Sequence, residues 1–568
     1  MNPMRGMSLI DVLVGSALVL VIFLGLVGLL RASLLVAGLA KAKAGATAIA
    51  DNQVEYVRAL DYDQVGTIGG IPAGVASATS TQVLNGITYN VRTLIEYVDD
   101  EADGFGAADT NGITTDYKRI KVSVTYMVRD SLREVVVVSN YAPPAVETTT
   151  NGGTLKIAVV NAQGAPVSGA TVQVVNASTS PTVNLSTFSD VDGLVQLPGA
   201  PTSTEYRITV SKSGYSSAQT YARDATNQNP APGYLTVVKS LTTTGTFAID
   251  VLSSLTLRTL YPIRAASSTD SFIDASKIAS QASTQVSGGA LKLAQSGGYA
   301  LSGSALTTAT APSYLASWTY ASSTVSTPAG TTATVRVTDG AGTPLSDAVL
   351  PGNSAGFTSF PISLSGVSTT TYPSLALAFS LTTTSTTTTS QVLDWRVAYQ
   401  EGPVPVPNVA FTLTGAKTIG STGGGSPIYK TTVASTTSSV GTRTMPLEWD
   451  SYKLTLSGYD VIDACGAPPF SLSPGTAYDH ALYLGVATTN RILVTVKDAL
   501  GVPVQGATVT VSKTGFSSSV SSSSCGTAYF GGLSSGTYSV QIAKTGYTTT
   551  TFSNVSISGH VFYAATFP

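Results

Sequence analysis

Apolar residues run without a charge from Val12 to Leu30. At about 1.5 Å of rise per residue, a helix over this run spans roughly 28 Å, the depth of a bilayer core. Asp11 stands at its start. A carboxylate inside a membrane helix costs roughly 2.5 kcal/mol or more, which marks it as a functional residue. The helical pattern continues beyond the run: Arg31 to Leu60 holds no proline, and Val54, Val57 and Leu60 keep a helical spacing. The pattern predicts one helix over 7–61, roughly 80 Å long. Gly25, Gly28 and Gly38 loosen it at about 1 kcal/mol each.

After residue 61 the period drops to two. Gln82–Val98 alternates around an Asn85-Gly86 turn signal, Arg119–Arg129 alternates cleanly, and Glu134–Tyr141 is a further strand. Residues 62–142 therefore read as a small antiparallel β-head on the helix. A linker rich in Pro, Thr and Gly follows over 143–153. Beyond it the chain repeats itself. Leu155–Gln173 reads LKIAVVNAQGAPVSGATVQ and Ile492–Thr510 reads ILVTVKDALGVPVQGATVT. Further along each copy, Tyr206–Tyr215 (YRITVSKSGY) matches Tyr538–Tyr547 (YSVQIAKTGY). A degenerate third copy starts at Val404 and includes Tyr452–Tyr459 (YKLTLSGY). Short alternating strands around a Gly-x-Pro-Val-x-Gly-Ala turn predict β-sandwiches. The boundaries are 154–260, 261–402 for a larger sandwich or jelly roll, 403–486 and 487–568. The fold class is thus α+β at the N-terminus, a long helix with an antiparallel head, followed by all-β sandwich modules.

Arg5-Gly6 followed by Met7-Ser8-Leu9-Ile10-Asp11 and the apolar run resembles the processing site of type IV pilins and type II secretion pseudopilins. The resemblance implies that a prepilin peptidase cuts a leader, residues 1–6, after Gly6 and that Met7 becomes a methylated N-terminus. Asp11 then holds the fifth position, where it would pair with the terminal amine of a neighbouring pilin subunit and set register in assembly. Met7 stands where Phe is usual, and Asp11 where Glu is. A secretory signal peptide fits less well, since the apolar run is long and no A-x-A site follows it. The repeats resemble carboxypeptidase regulatory-like and collagen-adhesin B-type domains.

Composition narrows the function. Only 11% of residues are charged, the net charge is -2 and the pI is about 5.8. No basic patch is present, which argues against nucleic acid as a partner. His480 and His560 are the two histidines, and neither sits in a metal-ligand or nucleophile motif, so both read as surface or turn residues. No phosphate-binding glycine loop and no CxxC pair occurs. These readings point away from an enzyme and towards display. With Arg5 cytoplasmic, everything after the helix lies outside, where disulfides are permitted. Cys465 and Cys525, the two cysteines, are expected to link the last two modules. Trp318 and Trp395 could stack on a sugar, although core packing is the commoner use. Lys497 and Asn554 are candidates for an isopeptide bond of the collagen-adhesin kind.

The acidic stretch Asp99-Asp100-Glu101-Ala102-Asp103-Gly104, with Asp109 and Asp116, resembles the start of a calcium loop, where glycine permits the sharp turn. Asp99, Glu101, Asp103, Asp109 and Asp116 are the candidate ligands, calcium the one candidate cofactor. A solvated acidic loop is the alternative. The combined expectation is a single-pass protein of the cytoplasmic membrane with its modules outside, entering a surface pilus as a minor adhesive subunit. Its ligand would be a surface carbohydrate or protein. A pseudopilin priming a secretion filament and a non-polymerising stalk are the alternatives.

Overall fold

A computed structural model of the chain describes residues 9–100, 104, 113, 115–144, 152–465 and 468–568, apart from the side chains of Asp11 and Val12. Its long helix, α1, runs from Leu9 to Arg58. The head is a four-stranded antiparallel meander of β1 (Thr79–Leu84), β2 (Ile87–Val98), β3 (Tyr117–Val128) and β4 (Ser131–Tyr141). Ala42, Ala46, Ile49, Ala50, Val54 and Val57 form one face of α1 and are buried against Tyr89, Ile95, Ile120, Val122 and Val124. Alanines in this stripe let the helix lie close to the sheet, and the Tyr89 phenol donates to the Ala42 carbonyl at 3.1 Å. Among the described residues, the N-terminal half of α1 supplies none of the buried residues of the head's core. Its Leu, Val, Ile and Phe side chains from Leu13 to Leu30 are exposed, Val27 only partly, and its length and composition suffice to cross a membrane.

The first sandwich follows. One sheet holds strands Ser203–Ser211, Thr171–Asn176 and Val183–Phe188, the other Thr242–Ala248, Gly152–Val160 and Leu194–Pro201. The alternation seen in the sequence puts Leu155, Ile157, Val159, Val172 and Val174 in its core, joined by Ile71 and Leu94 from the head. The head and the first sandwich therefore share buried apolar surface.

The third sandwich is split. Ser253–Tyr261, assigned above to the first sandwich, instead pairs antiparallel with Thr442–Leu447 and parallel with Ala477–Val486. This is the position of a first strand. In the first sandwich Gly152–Val160 pairs parallel with the last strand, Thr242–Ala248. In the fourth, Arg491–Lys497 does so with His560–Thr566. The register of the following turn also repeats. Val160 bridges Pro166, Lys497 bridges Pro503, and Leu260 pairs with Pro405. Five residues separate the paired positions in the first and fourth sandwiches (161–165 and 498–502); residues 261–404 separate them in the third. The second sandwich is thus inserted into the first turn of the third, and the boundary drawn at 260 moves back to about 252.

The inserted module begins and ends as one strand pair, Arg264–Asp270 against residues 395–401, with Arg264 ion-paired to Glu401 at 3.0 Å. Its two sheets enclose Phe272, Trp318, Phe379 and Trp395. Trp318 is 2% exposed and Trp395 1%. Both are core residues, and the sugar-stacking role is set aside. The fourth sandwich, from Arg491 onwards, closes around Ile492, Val494, Val509, Val540 and Ile557.

Candidate functional site

Gly6 and Met7 lie outside the described residues. Asp11 falls in the first turns of α1, and its side chain is not among those described. Of the acidic loop, Glu101, Asp103 and Asp109 lie outside the described residues. Asp99 is buried at the end of β2, and the Asp116 carboxylate accepts the Asp100 N–H at 2.6 Å, which closes the base of the loop. Among the described residues, no three His, Cys, Asp or Glu side chains gather as metal ligands would.

Below that loop lies a residue that the sequence reading passed over. Lys118 is 2% exposed. Its ammonium donates to the Tyr62 carbonyl at 2.7 Å and sits 4.2 Å from the centre of the Tyr62 ring. The signal was present: Lys118 shares the phase of Ile120, Val122 and Val124, the core positions of β3. A lysine in a core phase needs acceptors and an aromatic face to replace water.

Among the described residues, two junctions between sandwiches each include a buried acid, and the first is also a strand pair of Asn229–Pro230 with Gly420–Ser421. Between the first and third, Glu448 accepts Lys430 at 2.7 Å, Lys417 at 3.3 Å and the Thr431 hydroxyl at 3.0 Å. Lys430 also donates to the Ser217 carbonyl of the first sandwich at 2.7 Å. Burial lowers the affinity of Lys417 for its proton, and the Glu448 charge opposes that shift. Between the third and fourth, Asp460 is fully buried and pairs with Arg491 at 2.6 Å. Its other oxygen accepts the Thr488 N–H and hydroxyl, each at 2.8 Å, and the Tyr529 phenol. Burial, then the bond to Asp460, pushes the Tyr529 phenol up to about 12.

Beside this network Cys465 and Cys525 are joined as a disulfide, with their Cα atoms 4.8 Å apart. Cys465 follows the strand Tyr459–Ala464 of the third sandwich, and Cys525 lies in a turn of the fourth. Asp463, on that same strand, accepts the hydroxyls of Ser523, at 2.8 Å, and Thr527.

The histidines are not turn residues. Both lie in strands and are partly buried. His480 stacks on Phe470 with ring centres 4.7 Å apart. His560 has its pKa lowered to about 4 by burial and then by Arg491, against a smaller pull from Asp460. Lys497 and Asn554 are both exposed, on different sheets of the fourth sandwich, so no isopeptide geometry forms.

Two segments, residues 154–232 and 491–567, match the carboxypeptidase regulatory-like domain. They are the first and fourth sandwiches. No curated protein matches the chain. Solved structures similar to it include the TIE protein of Bacillus anthracis, at 10% identity over 86% of this chain and 73% of that one, TM-score 0.15. BcpA, the major pilin subunit of Bacillus cereus, aligns at 9% identity over 73% of this chain and 99% of its own, TM-score 0.14. GBS52, the minor pilin of Streptococcus agalactiae, aligns at 14% over 28% and 83%, TM-score 0.11. Scores this low carry no inference about assembly or ligand.

Proposed function

We propose that this chain is a minor, type IV pilin-like filament subunit that carries β-sandwich modules outward for adhesion. The observation that carries the proposal is the division of α1. Its C-terminal half is built into the head, while its N-terminal half is apolar all round and exposed. A helix of that kind is stable only in lipid or among other apolar helices. A subunit that waits in the cytoplasmic membrane and then enters a helical filament core meets both conditions in turn.

Asp11 fits the second condition. A carboxylate in apolar surroundings needs a charged partner. The amine freed by a prepilin peptidase at Met7 would supply one from the neighbouring subunit. The four sandwiches are bulky beside a head of four strands, which suits a low-copy or tip position. Their ligand would be a carbohydrate or protein on the target surface.

N-terminal mass analysis of the protein from native membranes tests the reading. The expected product begins at methylated Met7. A chain still beginning at Met1, or cut beyond Leu30, overturns it. Deleting residues 154–568 should leave filaments intact and abolish attachment; loss of filaments would assign the chain to priming instead.

A further inference from the structure

We propose that the cleft between the third and fourth sandwiches binds an acidic sugar residue between aromatic walls, with Lys497 holding the carboxylate. The cleft encloses about 420 Å³, within the range of small-ligand sites. One wall is the open end of the third sandwich, where strand Ala477–Val486 places Tyr478 and His480 on the same face. The other is the outer face of the fourth sandwich, where Thr495, Lys497 and Phe562 stand on adjacent parallel strands.

The lining selects the ligand. Partly exposed rings on both walls offer flat apolar faces of the kind that cover the C–H face of a pyranose. Ser471 and Thr495 offer hydroxyls at the same cleft. Among the described residues no carboxylate lines it, and Lys497 is exposed. A cation at the mouth of an aromatic cleft without acids favours an anion over a neutral sugar. The walls are also fixed in advance. The Cys465–Cys525 disulfide beside the cleft and the Asp460–Arg491 pair farther along the junction tie the two sandwiches together. His480 Nδ1 lies 3.1 Å from the Cys465 carbonyl, which links one wall to the disulfide. Binding then loses little freedom on ordering the site. The inference does not depend on the filament reading, since the cleft is complete within the two modules.

The test is calorimetric titration of the full chain in detergent micelles with oligogalacturonate, oligomannuronate and hyaluronan oligosaccharides, and with maltohexaose as the neutral control. At least one acidic oligosaccharide should bind. Lys497→Gln should weaken it about tenfold, the loss of one charge-assisted bond, and Tyr478→Ala should weaken it further. Lys497 is exposed, so its variant is expected to keep the wild-type unfolding temperature and to show no free thiol. Failure of all three acidic oligosaccharides to bind overturns the proposal. So does equal binding of maltohexaose, or binding that is unchanged in both variants.

Discussion

Tyr206, Tyr452 and Tyr538 are each buried, and each donates its phenol to a carbonyl a few residues upstream: Pro201 at 2.7 Å, Glu448 at 3.0 Å and Ser534 at 2.8 Å. This tyrosine corner ties the start of a strand to the loop before it. A second buried hydroxyl repeats as well. Ser189 donates to the Val167 carbonyl and Ser522 to the Val504 carbonyl, each at 2.7 Å, pinning the Gly-x-Pro-Val turn. Tyr206→Phe should destabilise the first sandwich by about 1–3 kcal/mol, because the Pro201 carbonyl loses its donor where water is scarce. Urea unfolding measures it; a change near zero would mean that water reaches the carbonyl. His560 carries a different cost. Its folded pKa of about 4 lies below the ordinary 6.5, so the unfolded chain binds the proton more tightly. The contribution of His560 is fully present above about pH 6.5 and is lost as pH falls towards about 4. His560→Asn should therefore narrow the gap in stability between pH 7 and pH 4.5. An unchanged gap would place the acid sensitivity elsewhere.

Among the elements, the displaced strand Ser253–Tyr261 has the most consequence. The insertion enters and leaves through one strand pair, so the third sandwich should close without it. Replacing residues 261–404 with Asp498–Val502, the five-residue turn of the fourth copy, should give a chain that still unfolds cooperatively and shows no free thiol. Loss of the disulfide or of cooperative unfolding would show that the inserted module supports its host. This architecture also marks where the sequence was readable. The turn motif and the tyrosines betrayed the repeats because each is a local pattern with a fixed spacing. The strand 253–261 was not readable as part of the third copy, because alternation shows that a strand exists but not which edge it joins. The buried acids Glu448 and Asp460 were equally opaque. Their partners come from other modules or from distant strands, and nothing in a local window distinguishes them from surface acids. Lys118 was readable in principle, through its phase. The loop between β2 and β3 gives a further prediction at this scale. Calcium should raise the unfolding temperature of the head, and Asp99→Ala with Asp103→Ala should remove the shift. No shift at millimolar calcium would leave a solvated acidic loop.

At the scale of the molecule, the helix, head and sandwiches are joined by buried contacts. Ile71 and Leu94 carry the head into the first sandwich, the strand pair of Asn229–Pro230 with Gly420–Ser421 and the Lys430 bond to Ser217 tie the first to the third, and Asp460 with the disulfide ties the third to the fourth. A loop of 60 residues closed by Cys465–Cys525 is worth about 4 kcal/mol in the chain-entropy model. Thiol labelling of the denatured, unreduced chain should find no free cysteine; two labelled cysteines would mean that the bond does not form. Force applied to an outer module would then pass through the head to α1, and so to whatever holds the helix. That makes the N-terminus the decisive point. A leader left in place would keep Arg5 and the uncut chain ahead of Asp11 and deny it a terminal amine at Met7. Gly6→Leu should leave the leader attached and hold the protein in the membrane. Asp11→Ala removes a charge that lipid disfavours, so insertion should be unimpaired or improved, while incorporation into filaments should fall sharply. Fractionation of sheared filaments and membranes, with each variant followed by mass, separates the two steps. Normal incorporation of Asp11→Ala would show that no charge pair sets the register. A cleaved Gly6→Leu chain would show that processing does not read the glycine.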